Sequence, residues 1–131
     1  MTLELKHLGK PSNRPVDEVD LIPWTGGEIA VRLDCAEFTA LCPVTGHPDF
    51  ATLEIDYVPD RHLVETKSLK LYLWRYRERR AFDEELVDEI TADLHRQIRP
   101  RWLRVTGRFH PRGGIAVTVR AERGEAPAMA P

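Results

Sequence analysis

Apolar and polar positions alternate from Glu28 to Leu33 and again from Ala51 to Val58, where Ile29, Val31, Leu53 and Ile55 are separated by residues such as Arg32, Glu54 and Asp56. A two-residue period predicts half-buried strands, with one face on a core and the other in water. Between Lys67 and Arg77 the period lengthens: Leu69, Tyr72, Leu73 and Tyr76 fall at i, i+3, i+4 and i+7, one stripe of a first helix. A second helix is predicted between Asp83 and Arg99, where Leu86, Val87, Ile90, Leu94 and Ile98 repeat the stripe. Acidic residues crowd its start and basic ones its end, as the helix dipole favours, and Pro100 stops it. The short period then returns. Leu103, Val105, Gly107 and Phe109 alternate with Arg104, Thr106 and Arg108, and after the turn Pro111-Arg112-Gly113-Gly114 a last strand is predicted from Ile115 to Val119.

The order strand, strand, helix, helix, strand, strand predicts an α+β fold: one antiparallel four-stranded sheet with both helices on one face. All 131 residues read as a single domain. Residues 1–26, with Pro11, Pro15 and Pro23, are expected to form an irregular arm, and 123–131 a flexible tail. A sheet with two open edges and a bare face predicts self-association that pairs sheets edge to edge into a ring.

Composition narrows the function classes. The 19 basic and 21 acidic residues nearly cancel, so no global field points to nucleic acid or an anionic membrane. Apolar runs are broken by Asp56, Arg75 and Asp93, far short of the roughly 20 residues of a membrane span. Two cysteines and no apolar leader point to a reducing, cytoplasmic protein.

Those cysteines differ in setting. Cys42 lies in Leu41-Cys42-Pro43-Val44-Thr45-Gly46-His47-Pro48-Asp49, whose prolines and glycine predict a connection between strands, where a thiol is accessible. Most intracellular cysteines are small buried hydrophobes, so this placement alone does not make Cys42 a nucleophile. Asp49 follows across the turn, within reach as an acid or base, although turn aspartates more often cap their own backbone. Cys35, Cys42, His47 and His62 have no CxxC or HxxxH spacing, so no metal is expected.

A second candidate lies at the first helix. Lys67 and Lys70 stand with Thr66 and Ser68 at its start, where the dipole is already positive, so a bound phosphate would explain them as well as a solvated charged face does. Arg112 in its Gly-rich turn is either a further phosphate contact or an ordinary hairpin arginine. Glu84, in the first turn of the second helix, either answers the dipole or accepts the N–H fork of a guanine-like base.

Several segments in order resemble the NADPH-dependent 7-cyano-7-deazaguanine reductases, the nitrile reductases of queuosine biosynthesis, in their short single-module form. They are Glu37-Phe38-Thr39-Ala40-Leu41-Cys42-Pro43, Thr45-Gly46, Pro48-Asp49-Phe50, Glu65-Thr66-Lys67-Ser68-Leu69-Lys70-Leu71-Tyr72 and Pro111-Arg112-Gly113-Gly114-Ile115. The resemblance implies the tunnelling fold, with strands joined between subunits into a barrel and active sites where subunits meet. It implies that Cys42 is the nucleophile, Asp49 the acid/base and Glu84 the anchor of the deazaguanine edge. Val64, Glu65 and Thr66 would also touch the base, and Lys67, Ser68, Lys70 and Arg112 the NADPH. One departure is Phe82-Asp83-Glu84 where the family commonly has Phe-His-Glu, which sets Asp83 in the substrate pocket; His47, in place of a glutamine, is a milder one. The rival readings are a tunnelling-fold amidinotransferase, a cyclohydrolase-like hydrolase, and a purine- or pterin-binding module with an inert Cys42.

Overall fold

The computed structural model describes residues 5–9 and 14–130. Eight elements follow one another: β1 Leu21–Pro23, β2 Val31–Leu41, β3 Pro48–Val58, β4 His62–Val64, α1 Thr66–Trp74, α2 Asp83–Ile98, β5 Trp102–Phe109 and β6 Thr118–Gly124. The main sheet is antiparallel in the order β2-β3-β5-β6, with α1 against β2 and α2 against β5 and β6. The four-stranded antiparallel sheet and its two helices are as the two periods predict, and the short strands β1 and β4 are additional.

Several boundaries differ from the expectation: β3 starts at Pro48 rather than Ala51, and α1 ends at Trp74, short of Arg77. β2 begins at Val31 and continues to Leu41, eight residues beyond Leu33, because its register shifts between Cys35 and Phe38. That bulge reverses which parity faces the core: Val31, Leu33 and Cys35 pack inward before it, Phe38 and Ala40 after it, so a strict alternation loses the strand midway. The last strand is Thr118–Gly124, not Ile115–Val119, so it reaches into the segment expected to be a flexible tail. Within the expected arm, Leu21–Pro23 pairs with His62–Val64 as a small second sheet. The parts of that arm at 1–4 and 10–13, and residue 131 of the expected tail, lie outside the described residues.

The core forms between the sheet and the helices. Leu53, Ile55, Tyr57, Leu103 and Val105 meet Leu86, Val87, Ile90, Leu94 and Ile98, the whole predicted stripe of α2. The helices are also joined by polar contacts at the edge of this core: Tyr72 Oη donates to Asp93 at 2.7 Å, and the Arg75 guanidinium lies over the rings of Tyr72 and Tyr76. Ile90→Ala is expected to cost about 2–5 kcal/mol, because a fully buried side chain leaves a cavity between rigid layers. Urea unfolding checks this: the midpoint should fall with an unchanged slope.

The other sheet face carries charge. Arg32, Asp56, Arg104 and Glu122 are register partners in one row across all four strands. Arg32 meets Asp56 at 2.7 Å, Arg104 meets Asp56 at 3.5 Å, and Arg104 meets Glu122 at 4.0 Å. In this row opposite charges face each other across strands, the favourable arrangement for directly opposed ionic residues.

Candidate active site

Two hydrogen bonds close the connection between β2 and β3 into a tight loop. Cys42 N–H donates to His47 O, and Gly46 N–H donates to Cys42 O, both at 2.9 Å. Gly46 has φ 73°, a left-handed conformation that a side chain resists, and a Cβ there would lie 2.6 Å from the Arg80 guanidinium. The loop therefore needs its glycine for the turn, whereas the Arg80 tip could move aside for a side chain.

Backbone contacts then bring this loop to the start of α2. Leu41 N–H donates to Arg79 O and Ala81 N–H to Leu41 O, forming a short parallel bridge just ahead of Cys42 on one strand and Asp83 on the other. Phe82, the residue before α2, donates its N–H to Glu85 Oε1, which fixes the entry into the helix. From beside β3, the turn after β5 carries Arg112 over the same end, where its Nη1 donates to Asp49 Oδ1 at 2.7 Å. His110 N–H on Phe50 O anchors that turn to β3. Cys42, Asp49, Asp83 and Arg112 thus gather from four separate segments.

The electrostatics of this group are uneven. The Cys42 thiol is lowered to about 7, first by the Thr45 hydroxyl, then by the backbone N–H groups of Thr45 and Val44, with a smaller contribution from Arg112. Asp83 is raised to about 6, first by desolvation and then by the negative charges of Asp49 and Glu84, with Arg112 opposing. Between the unfolded value near 3.8 and the folded value near 6 the folded protein binds more protons, so this group's contribution to stability falls as pH rises through that window. Asp83→Asn removes that contribution. The melting temperature of the variant, measured against wild type, is expected to gain between pH 4 and 6 and to level off above, as thermal scans across pH would record.

Other sequence-predicted residues lie at the start of α1. The Glu65 carboxylate caps the helix by accepting the N–H groups of Lys67 at 2.6 Å and Ser68 at 2.8 Å, so the helix start read as open to an anion already holds the chain's own carboxylate. Ser68 Oγ accepts Asp20 N–H, Glu65 N–H donates to Asp20 O, and Lys67 Nζ donates to His7 O. These residues tie the N-terminal segment to α1. Val64 is buried with its N–H on Tyr57 Oη, while Glu84 stands exposed in the first turn of α2. Thr66 and Lys70 are exposed and line a groove of about 1030 Å³ along edge strand β2, which also presents Trp74, Arg77, Phe50 and His110.

The pattern reading missed Thr45. A threonine two residues before a backbone N–H in a breaker-rich loop is a common hydroxyl turn, and Thr45 Oγ1 does accept His47 N–H at 3.2 Å. That turn was available from sequence as an ordinary signal. Among the described residues, no three His, Cys, Asp or Glu side chains are grouped to hold a metal ion, and no helix is long and apolar enough to cross a membrane.

The model of the family described as QueF-like protein matches residues 48–128. The chain belongs to this family. The matched span holds Asp49, the start of α1, Asp83, Glu84 and Arg112, whereas Cys42 lies just before it. Among QueF-like relatives, a protein of Halorhodospira halophila named NADPH-dependent 7-cyano-7-deazaguanine reductase is 50% identical over 72% of this chain and 80% of its own length. Proteins of the same name from Alkalilimnicola ehrlichii and Nitrosococcus oceani are 47% and 52% identical, over 85% and 76% of this chain and 88% and 78% of their own lengths. A solved QueF-like structure, the archaeosine synthase QueF-Like in the apo form, superposes with a TM-score of 0.65 at 21% identity, covering 79% of this chain and 100% of that one. At that identity it establishes the fold.

Proposed function

We propose that this chain reduces the nitrile of 7-cyano-7-deazaguanine to the aminomethyl group with NADPH, through a covalent bond to Cys42. The observation that carries the reading is the gathering of Cys42, Asp49 and Arg112 at one end of the sheet, with Arg112 held on Asp49, in a chain about half identical to reductases of that name. A nitrile carbon is a modest electrophile, and a thiolate attacks it without a metal. The Cys42 Sγ–carbon bond forms as one π pair moves onto nitrogen. The proton that leaves the thiol passes to the Asp49 carboxylate and from there to that nitrogen, giving a thioimide. After reduction at carbon the S–C bond breaks, the pair returns to Cys42 and an imine is left in the site for the second reduction.

Two NADPH molecules, bound in turn, would each supply one hydride, which with two protons completes the four-electron change. The groove along β2 fits such a group: it has a volume of about 1030 Å³, it offers Lys70 and Arg77 to phosphates, and Trp74 lines it. Lys67, Ser68 and Arg112 are the remaining proposed contacts, and Arg112 would have to share its guanidinium between Asp49 and the cofactor. For the base, Glu84 would accept the guanine-like N–H fork, with Val64, Glu65 and Thr66 around it and Asp83 beside the reacting group. The open edges of β2 and β6 support sites completed between subunits of a ring, and use of NADPH, as in the relatives' name, would suit a cytoplasmic location.

A steady-state assay of NADPH oxidation with and without 7-cyano-7-deazaguanine tests the reading. Turnover is expected only with the nitrile. Its absence across neutral pH would turn the assignment to a transferase or a binding module.

A further inference from the structure

We propose that Asp20 is a positioning residue of the cofactor site: its carboxylate fixes the backbone at His7, and the His7 carbonyl in turn holds the Lys67 ammonium in place for a phosphate. This rests on the reading of Lys67 as an NADPH contact and adds to it a residue from the N-terminal segment. Asp20 is only 5% exposed, and a carboxylate so buried is costly unless hydrogen bonds meet it. Its Oδ2 accepts the backbone N–H groups of Lys6 at 2.7 Å and His7 at 2.8 Å, so one oxygen grips two successive residues. His7 then completes the link, because Lys67 Nζ donates to His7 O at 2.8 Å. A carbonyl is a neutral acceptor, so this contact places the ammonium without cancelling its charge.

Asp20 can serve as such a support because its own backbone is tied on both sides. Its N–H donates to Ser68 Oγ at 2.8 Å and its carbonyl accepts Glu65 N–H at 2.9 Å, both at the start of α1. One residue earlier, Val19 N–H donates to Gln97 Oε1 of α2, and one residue later, Leu21 pairs with Val64 in the small sheet. The carboxylate therefore projects from a junction of β1, α1 and α2, and residues 6 and 7 are fastened to it. Lys67 is held at both ends: its N–H by the Glu65 carboxylate at 2.6 Å, its ammonium by His7 O. A long lysine stem loses rotamer freedom when it is ordered by a ligand, and a stem ordered beforehand spares that cost. The consequence is that a residue remote from the phosphate sets how well it is bound.

The test measures NADPH binding to the full chain by the emission of the nicotinamide, with no nitrile present. Wild type is compared with Asp20→Ala, Asp20→Asn, Lys67→Met and the double variant Asp20→Ala/Lys67→Met. Asp20→Ala is expected to weaken binding roughly tenfold, the scale of one hydrogen bond to a charged group. Asp20→Asn keeps an acceptor oxygen and should recover most of that loss. In the Lys67→Met background Asp20→Ala should have no further effect, because nothing is left to place, whereas a general loss of structure would add to the first loss. Additive losses, or wild-type affinity in a folded Asp20→Ala protein, overturn the proposal. Hydrogen exchange needs no Asp20 variant: by reciprocity, NADPH should slow exchange of the Lys6 and His7 amides in the wild type but not in Lys67→Met. Unchanged exchange in the wild type overturns the proposal as well. A wild-type chain that binds no NADPH removes the cofactor reading and this proposal with it, while binding with additive losses removes the proposal alone.

Discussion

Cys42→Ala is expected to abolish both the covalent adduct with the nitrile and the oxidation of NADPH, while Cys35→Ala retains both. The two thiols lie seven residues apart in sequence but in opposite surroundings. Cys35 packs against the core from β2, and burial, helped by the charge of Asp34, pushes it up to about 11. Cys42 is lowered to about 7 by its loop. At neutral pH about half of Cys42 is ionised but only on the order of one Cys35 in 10⁴, and the thiolate is the attacking species. Mass spectrometry of the protein incubated with nitrile alone should find added mass at Cys42 and a free Cys35. Retained reduction by Cys42→Ala would falsify the covalent route.

Asp49→Asn should lower the rate of adduct formation by about 10²–10⁴, the usual contribution of a positioned proton-transfer group. The substitution is nearly isosteric, yet it also weakens the hold on Arg112, whose Nη1 bonds Asp49 Oδ1. The two effects can be told apart. Alkylation of Cys42 should change little, because the donors that hold its charge lie in its own loop, whereas addition to the nitrile should slow, because the nitrogen loses its proton source. A variant that forms adduct at the wild-type rate would assign the proton to another group, with Asp83, which interacts with the charge of Asp49, the next candidate.

Local patterns made much of this molecule legible from sequence. α2 is the clearest case: its stripe, its acidic start and its stop at Pro100 all follow from the order of residues along one helix, and the same residues form the core. β2 was cut short because the bulge between Cys35 and Phe38 reverses its parity, which an alternation rule cannot follow. β6 was displaced because Ala121 and Arg123 give a weak signal, although the strand pairs along its whole length with β5. At the site, the loop around Cys42 announced itself through its breakers, but the contact of Arg112 with Asp49 joins residues 63 positions apart. Lys67 is the sharper case: the charge that read as an invitation to phosphate reaches a backbone carbonyl 60 residues away in the N-terminal segment. Partners chosen by tertiary approach leave no periodic trace.

The row from Arg32 through Asp56 and Arg104 to Glu122 constrains how this sequence can drift. Asp56 and Arg104 are both nearly inaccessible to water, so losing either alone removes one of the opposite charges that offset the other's desolvation, leaving Asp56 on Arg32 or Arg104 on Glu122, an unfavourable change. Replacing both with apolar residues of similar volume removes the charges together and is often close to neutral. The two positions are therefore coupled by electrostatics rather than by shape. Along a lineage they should be kept as a pair or exchanged as a pair, with single replacements appearing only as short-lived intermediates.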